Sequence, residues 1–210
     1  MGEFAKFYQD GGAFMHAILI TGLIGFAAML ERIVYLVFKA NSDAAKMYAQ
    51  VQKCVMSNNI DTAIKICDRN SQAALGRVLK AGLTKSAKDE QQVSQAIEES
   101  MLEAMPKIDK RVSMIAAVAN VATLLGLLGT IFGMLAAFEA VANAPADQRS
   151  TALAKGIGIA MNTTGFGLIV AIPLLASHII VSNVAKSIKD NVELYSVKLE
   201  NLLSARFRLG

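Results

Sequence analysis

Between Val112 and Phe138 the chain reads VSMIAAVANVATLLGLLGTIFGMLAAF, without one charged side chain. That run exceeds the roughly 20 apolar residues with which a helix crosses the hydrocarbon core of a bilayer. Gly156 to Ala185 is another such run, and so is Gly11 to Leu30, charge-free apart from His16; in chain order 11–30 is the first run, 112–138 the second and 156–185 the third. The three runs predict an all-α membrane protein with transmembrane helices over 13–37, 112–140 and 156–183. The composition points the same way. Of 210 residues 54% are hydrophobic and 18% charged. That is too apolar for an ordinary soluble domain, and it excludes a disordered or collagen-like chain. Two cysteines exclude a disulfide scaffold. The first run does not read as a cleavable signal: the leader Met1–Asp10 is not basic, and no small-residue cleavage site follows the apolar stretch.

Lysine and arginine set the expected orientation, because cytoplasmic flanks carry the excess of both. Lys6 stands alone before the first helix, and Arg149 and Lys155 lie between the second and third. The other 18 of the 21 basic residues fall in 31–111 and 184–210. The expected topology is therefore a periplasmic N-terminal segment over 1–12 and a periplasmic loop over 141–155. It adds a cytoplasmic helical region over 38–111 and a cytoplasmic C-terminal helix over 184–210. The net charge of +4 follows from this topology. Nucleic acid is not an expected partner, since the basic residues are interspersed with acids and lack interleaved aromatics.

Within the cytoplasmic region the apolar spacing predicts short amphipathic helices. Met47, Val51, Cys54 and Val55 share one face. Asn59 or Asp61 is placed to cap a second helix carrying Ile60, Ala63, Ile64 and Cys67. Leu75, Val78, Leu79 and Leu83 mark a third helix, and 86–89 a boundary. From Val93 a long helix is expected to run on into 112–140 unbroken, about 75 Å at 1.5 Å per residue, with Pro106 as a possible kink. Val184, Ile188, Val192, Tyr195 and Leu199 form the face of the C-terminal helix. Cys54 and Cys67 read as buried thiols, and Glu31–Arg32 as an interfacial ion pair.

The polar residues inside the apolar runs are the candidates for function. At about 100° per residue, Asn120, Thr123 and Thr130 fall on one stripe, with Leu127 between them. Gly126, Gly129 and Gly133 fall on the adjoining stripe. The third run carries Asn162, Thr163 and Thr164, and it has Ala160, Thr164, Gly167 and Ala171 in small-residue spacing. Small residues let helix backbones approach, and threonine hydroxyls can bond back to the preceding turn, so helix packing accounts for the glycines. The second reading gives Thr and Asn a role in lining a narrow polar path. The second and third runs contain no Asp, Glu, Lys or Arg, and ion carriers depend on ionisable groups within the membrane. If protons cross here, the carboxylate comes from another chain. Neither His16 nor His178 has a second ligand at metal-binding spacing. No nucleophile–base set, phosphate loop or nucleotide motif is present, so neither an enzyme nor a cofactor is expected.

Leu125-Gly126-Leu127-Leu128-Gly129-Thr130-Ile131-Phe132-Gly133-Met134 resembles the second-helix motif of the TolQ/ExbB/MotA proton-channel family. Gly156-Ile157, Asn162-Thr163-Thr164-Gly165-Phe166-Gly167-Leu168 and Ala171-Ile172-Pro173 resemble its third-helix motif. Leu30-Glu31-Arg32-Ile33-Val34-Tyr35-Leu36 is similar to the end of its first helix. Order, spacing and topology agree over almost the whole chain, and three helices favour the TolQ/ExbB branch over the four-helix MotA branch. The resemblance implies a homopentamer in the bacterial inner membrane. Its pore encloses the helices of a dimeric single-helix TolR/ExbD-like partner, whose intramembrane Asp carries the proton. It implies work passed to a TonB- or TolA-like protein or a motility protein, in Tol-Pal, Ton-type import or gliding. By the same resemblance Thr130 and Thr164 match the two pore-facing threonines near that Asp. There is one departure: the family's Glu near the outer end of the third helix is Ile159 here. The rival expectation is a membrane scaffold that assembles partners without conducting.

Overall fold

The computed structural model describes residues 7–9, 11–36, 43–86 and 89–207. Seven long helices follow in order: α1 Ala13–Val34, α2 Ala44–Met56, α3 Ile60–Arg69, α4 Ala74–Lys85, α5 Glu90–Asp109, α6 Val112–Asn143 and α7 Arg149–Phe207. No strand occurs among the described residues. Three of the helical stretches are long and apolar enough to cross a membrane; they contain α1, α6 and α7. The expected end of the first helix at residue 37, the middle of the 86–89 boundary and the last three residues lie outside the described residues.

The chain divides into two compact units. One takes in the residues up to Leu30 together with Arg111–Ile179, and the other Glu31–Lys110 together with the residues from Ile180 on.

In the first unit α6 buries a row of small residues, Ala119, Ala122, Gly126, Gly129, Gly133 and Ala137. Against it, antiparallel, lies the row Gly156, Ala160, Thr163 and Gly167 of α7. With no side chain to hold them apart, the two backbones come into direct contact. This is the way helices associate where lipid is as apolar as leucine and packing must replace the hydrophobic effect. α1 adds its own glycines to the bundle. A Cβ on Gly22 would lie 2.9 Å from Val170, and one on Gly25 would lie 2.9 Å from Val118. Met15 and Ile18 are fully buried beside them. Leu124, Ile131, Phe132, Leu135, Ile169 and Ile172 are exposed, an outward apolar surface of the kind that faces lipid or other membrane helices. His178 completes the unit, with Nδ1 3.0 Å from the Val112 carbonyl.

In the second unit the short helices pack through the expected stripes. Met47, Val51 and Val55 are buried on α2, Ala63 and Cys67 on α3, and Leu75, Val78, Leu79 and Leu83 on α4. Cys54 is only half-buried, so it is not the buried thiol expected of it. It sits one position off the stripe that Val51 and Val55 define. Burial pushes the Cys67 thiol up to about 12. Asn58 and Asn59 divide one junction between them. Asn58 adopts the left-handed conformation that ends α2 (φ 57°), and the Asn59 side chain accepts from the Thr62 N–H to cap α3. Of the two expected caps, Asn59 takes the role. At the start of α2 the Asp43 carboxylate pairs with Lys46 at 2.6 Å, which holds its pKa below the usual range. From α7, Ile188, Val192, Leu199 and Leu203 are buried in this unit. Tyr195 meets the Tyr48 ring at 4.9 Å, and Lys189 pairs with Asp109 at 2.8 Å.

The expected unbroken helix from Val93 into the second apolar run is not formed. α5 ends at Asp109; Lys110 is extended (ψ 128°) and Arg111 is left-handed (φ 61°) before α6 begins. A left-handed residue cannot continue a right-handed helix, so α5 and α6 are separate helices. Pro106 lies inside the last turn of α5, and its carbonyl accepts from the Lys110 N–H at 2.9 Å. The carbonyls after Pro106 lie at the helix end, where intrahelical donors run out. Arg32 supplies one, with Nη1 3.3 Å from the Lys107 carbonyl. Arg32 is 3% exposed, and its guanidinium lies 5.0 Å from the Tyr35 ring centre.

Candidate functional site

The antiparallel seam between α6 and α7 positions the candidate residues. Its centre is tightest at the glycines. A Cβ on Gly129 would stand 2.7 Å from the Thr163 side chain, one on Gly133 3.0 Å from the backbone of Ala160, and one on Gly167 2.9 Å from the Ala122 carbonyl oxygen. Gly126 faces Thr163, Thr164 and Gly167 together. Gly126, Gly133 and Gly167 thus face backbone atoms across the seam, and Gly129 faces the Thr163 side chain.

The threonines do not share one environment. Thr163 is 1% exposed; it fills the seam against Gly129 and donates to the Ala160 carbonyl at 2.8 Å. In the single chain it belongs to the interior of the helix pair, not to an open face. Thr164, the next residue, is half-buried and turned about 100° away. Its hydroxyl crosses the seam and donates to the Gly126 carbonyl at 3.1 Å. Thr130 is one turn along α6 from Gly126, and its hydroxyl donates to the Leu127 carbonyl at 2.6 Å. Thr123 donates to Ala119 at 3.2 Å. Asn120 is exposed and Asn162 half-buried.

Helical phase and the antiparallel register place Thr123, Thr130 and Thr164 on one edge of the seam. Val118 and Val170, which meet α1 at Gly25 and Gly22, project from the other edge. The hydroxyl edge is therefore the side of the helix pair that α1 leaves open. Asn162 stands at the α1 edge by the same count, so the structure separates it from Thr164.

Two partners of these residues were not visible in the sequence. The Gly126 carbonyl becomes an acceptor for Thr164 only because the seam brings α7 against it, and no one-dimensional pattern carries that register. The aromatic neighbours of Phe166, at the α1 edge, come from Phe7 and Tyr8 ahead of α1. Their signal was a pair of aromatics within a segment read only as a leader. Among the described residues there is no cluster of His, Cys, Asp and Glu suited to a metal ion.

Comparison with known proteins gives a consistent set of likenesses. The family described as the MotA/TolQ/ExbB proton channel family matches residues 70–194. A biopolymer transport protein ExbB homolog from Methanothermobacter thermautotrophicus is 24% identical over 92% of this chain and 68% of its own length. An ExbB-like 1 biopolymer transport protein from Synechocystis is 26% identical over 87% of this chain and 70% of its own. Biopolymer transport protein exbB1 of Vibrio cholerae is 38% identical, but only over 30% of this chain and 28% of its own length.

Proposed function

Because the chain belongs to the MotA/TolQ/ExbB proton channel family, we propose that it is the channel-forming subunit of a motor in the bacterial inner membrane, driven by the proton-motive force. In this reading five copies surround two copies of a TolR/ExbD-like single-helix protein. The N-terminus and 141–155 face the periplasm, and 38–111 and 184–210 face the cytoplasm. The observation that carries the reading is the hydroxyl edge of the α6/α7 seam. Thr130 and Thr164 donate to the consecutive carbonyls of Leu127 and Gly126, within apolar runs that contain no carboxylate or ammonium.

An apolar wall with a few hydroxyls suits a carboxyl group that alternates between neutral and ionised forms. The apolar surroundings raise its pKa and favour the neutral acid, and a hydroxyl that releases its helix carbonyl and turns its hydrogen to the ionised form softens that preference. One charge moving through the field gains about 2.3 kcal/mol per 100 mV, enough to bias a small rotation. The carboxyl itself comes from the partner. Asn120 and Thr123 extend the polar path in this proposal, whereas Thr163, sealed in the seam, and Asn162, at the α1 edge, lie off it in the single chain. The work is delivered to an envelope-spanning protein of Ton, Tol or motility type.

The test begins with co-purification with a single-helix membrane protein bearing an intramembrane Asp, encoded beside this chain, and native mass spectrometry of the complex. The complex is then placed in liposomes with a trapped pH-sensitive dye. Thr130→Val and Thr164→Val keep side-chain volume and remove the hydroxyl. The expected result is an assembled complex whose proton flux falls at least about tenfold, as for loss of a group worth 1.4 kcal/mol or more to the barrier. Full flux in both variants would defeat the proposal.

A further inference from the structure

The segment ahead of α1 is packed, and its packing has a target. Residues 7–9 form a helical turn, and the chain then reverses at Gly11–Gly12. Gly12 has φ +71°, a conformation open to glycine and strained for other residues. The Met15 N–H bonds to the Gly12 carbonyl at 3.2 Å, and this starts α1. The reversal sends Phe7 and Tyr8 onto α7. The Tyr8 ring meets Phe166 edge-on with centroids 5.8 Å apart, and Phe7 meets the same ring edge-on at 6.5 Å. Tyr8 also meets His16 of α1 at 5.2 Å, so one ring bridges two helices. Phe166 is left 5% exposed. Gly165 lies beside this contact: a Cβ built there would stand 3.9 Å from Phe7 Cζ, an ordinary van der Waals distance.

Edge-to-face aromatic pairs add attraction beyond their buried area. Two pairs on one ring make Phe166 a fixed point of α7. That point lies two residues from Thr164 and one turn from Asn162. By helical phase Phe166 projects from the edge of the seam opposite to Thr164. A contact there supports α7 from behind and keeps the Thr164 hydroxyl in reach of the Gly126 carbonyl.

We propose that Phe7 and Tyr8 form an aromatic strap that holds α7 in register at the Asn162–Thr164 motif, acting as positioning residues for the polar path. The strap follows from packing alone; its effect on proton flux rests on the motor reading above. The chain contains no tryptophan, so Phe166→Trp introduces one tryptophan per copy at the contact, whose emission is read with excitation that tyrosine does not absorb. The test is quenching of that tryptophan by acrylamide and by brominated lipid in the assembled complex. With Phe7 and Tyr8 present quenching is weak. With Phe7→Ala and Tyr8→Ala together it rises several-fold, and Tyr8→Phe, which keeps the ring, leaves it low. Unchanged quenching in the double variant overturns the strap.

The second readout uses chains without the tryptophan. Phe7→Ala with Tyr8→Ala assembles normally but loses most of the proton flux, and Tyr8→Phe restores it. Full flux in the double variant overturns the positioning role. If Thr130→Val and Thr164→Val also leave flux intact, the motor reading fails while the quenching result still decides the strap.

Discussion

At the scale of single residues, environment separates groups that the sequence writes alike. Thr163 and Thr164 are neighbours of the same type, yet one is sealed in the helix seam and the other spans it to an open edge. The stripe of Thr123 and Thr130 was legible from spacing alone because both lie on one helix. The partner of Thr164 was not, because it depends on a register between helices. The cysteines differ in the same manner. Cys67 is fully buried and Cys54 half-exposed. Burial favours the neutral thiol of Cys67 and raises its pKa from 9.0 to about 12. At pH 8 that leaves about a thousandfold less thiolate, the form that reacts. Alkylation with a maleimide at pH 8 is therefore expected to label Cys54 quickly and Cys67 only on unfolding. The sign is fixed by the shift: the protection of Cys67 persists as pH rises past 9 and fades only toward 12. Two equally fast thiols in the folded chain would contradict it.

At the scale of elements, the glycine row of α6 was readable as a packing face because it repeats at helical spacing; on α7 the spacing marked Ala160 and Gly167 correctly but chose Thr164 where Thr163 fills the seam. The end of α5 was not readable. Hydrophobic periodicity runs through Ile108 and Val112 without pause, so the sequence suggested one helix, and the break at Arg111 (φ 61°) is a backbone event with no side-chain signature. The packing rows carry a clear mutational expectation. A methyl at Gly167 would press on the Ala122 carbonyl and the Gly126 backbone, and neither can yield by changing rotamer. A methyl at Gly158 would meet nothing within 4 Å. Gly167→Ala is expected to cost about 1–3 kcal/mol, the usual penalty of overpacking. Gly158→Ala is expected to be neutral or slightly stabilising through helix propensity. Thermal unfolding in detergent, followed by circular dichroism, compares the two; equal melting temperatures would mean that the seam is looser than described.

At the scale of the whole molecule, the charge-free runs were the most legible feature, because a bilayer selects for length and apolarity and both are written linearly. All three appear as helices of sufficient length. The outward surface of the first unit keeps leucine, isoleucine and phenylalanine exposed on α6 and α7. Carbonate at pH 11 is therefore expected to leave the protein in the membrane pellet, while it strips proteins held only by charge; recovery in the supernatant would refute a spanning topology. The seam bond has a consequence for what such a membrane protein can recognise. A hydroxyl has one hydrogen to give. Thr164 has given its hydrogen to the Gly126 carbonyl, and Thr130 has given its own to Leu127. What remains toward the open edge is lone pairs. A neutral acid arriving there can donate to them, whereas its conjugate base finds no hydrogen to accept unless a helix contact first lets go. On the motor reading proposed above, the edge acts as a chemical reader of protonation state, distinguishing the two forms by hydrogen-bond polarity before their charges are compared.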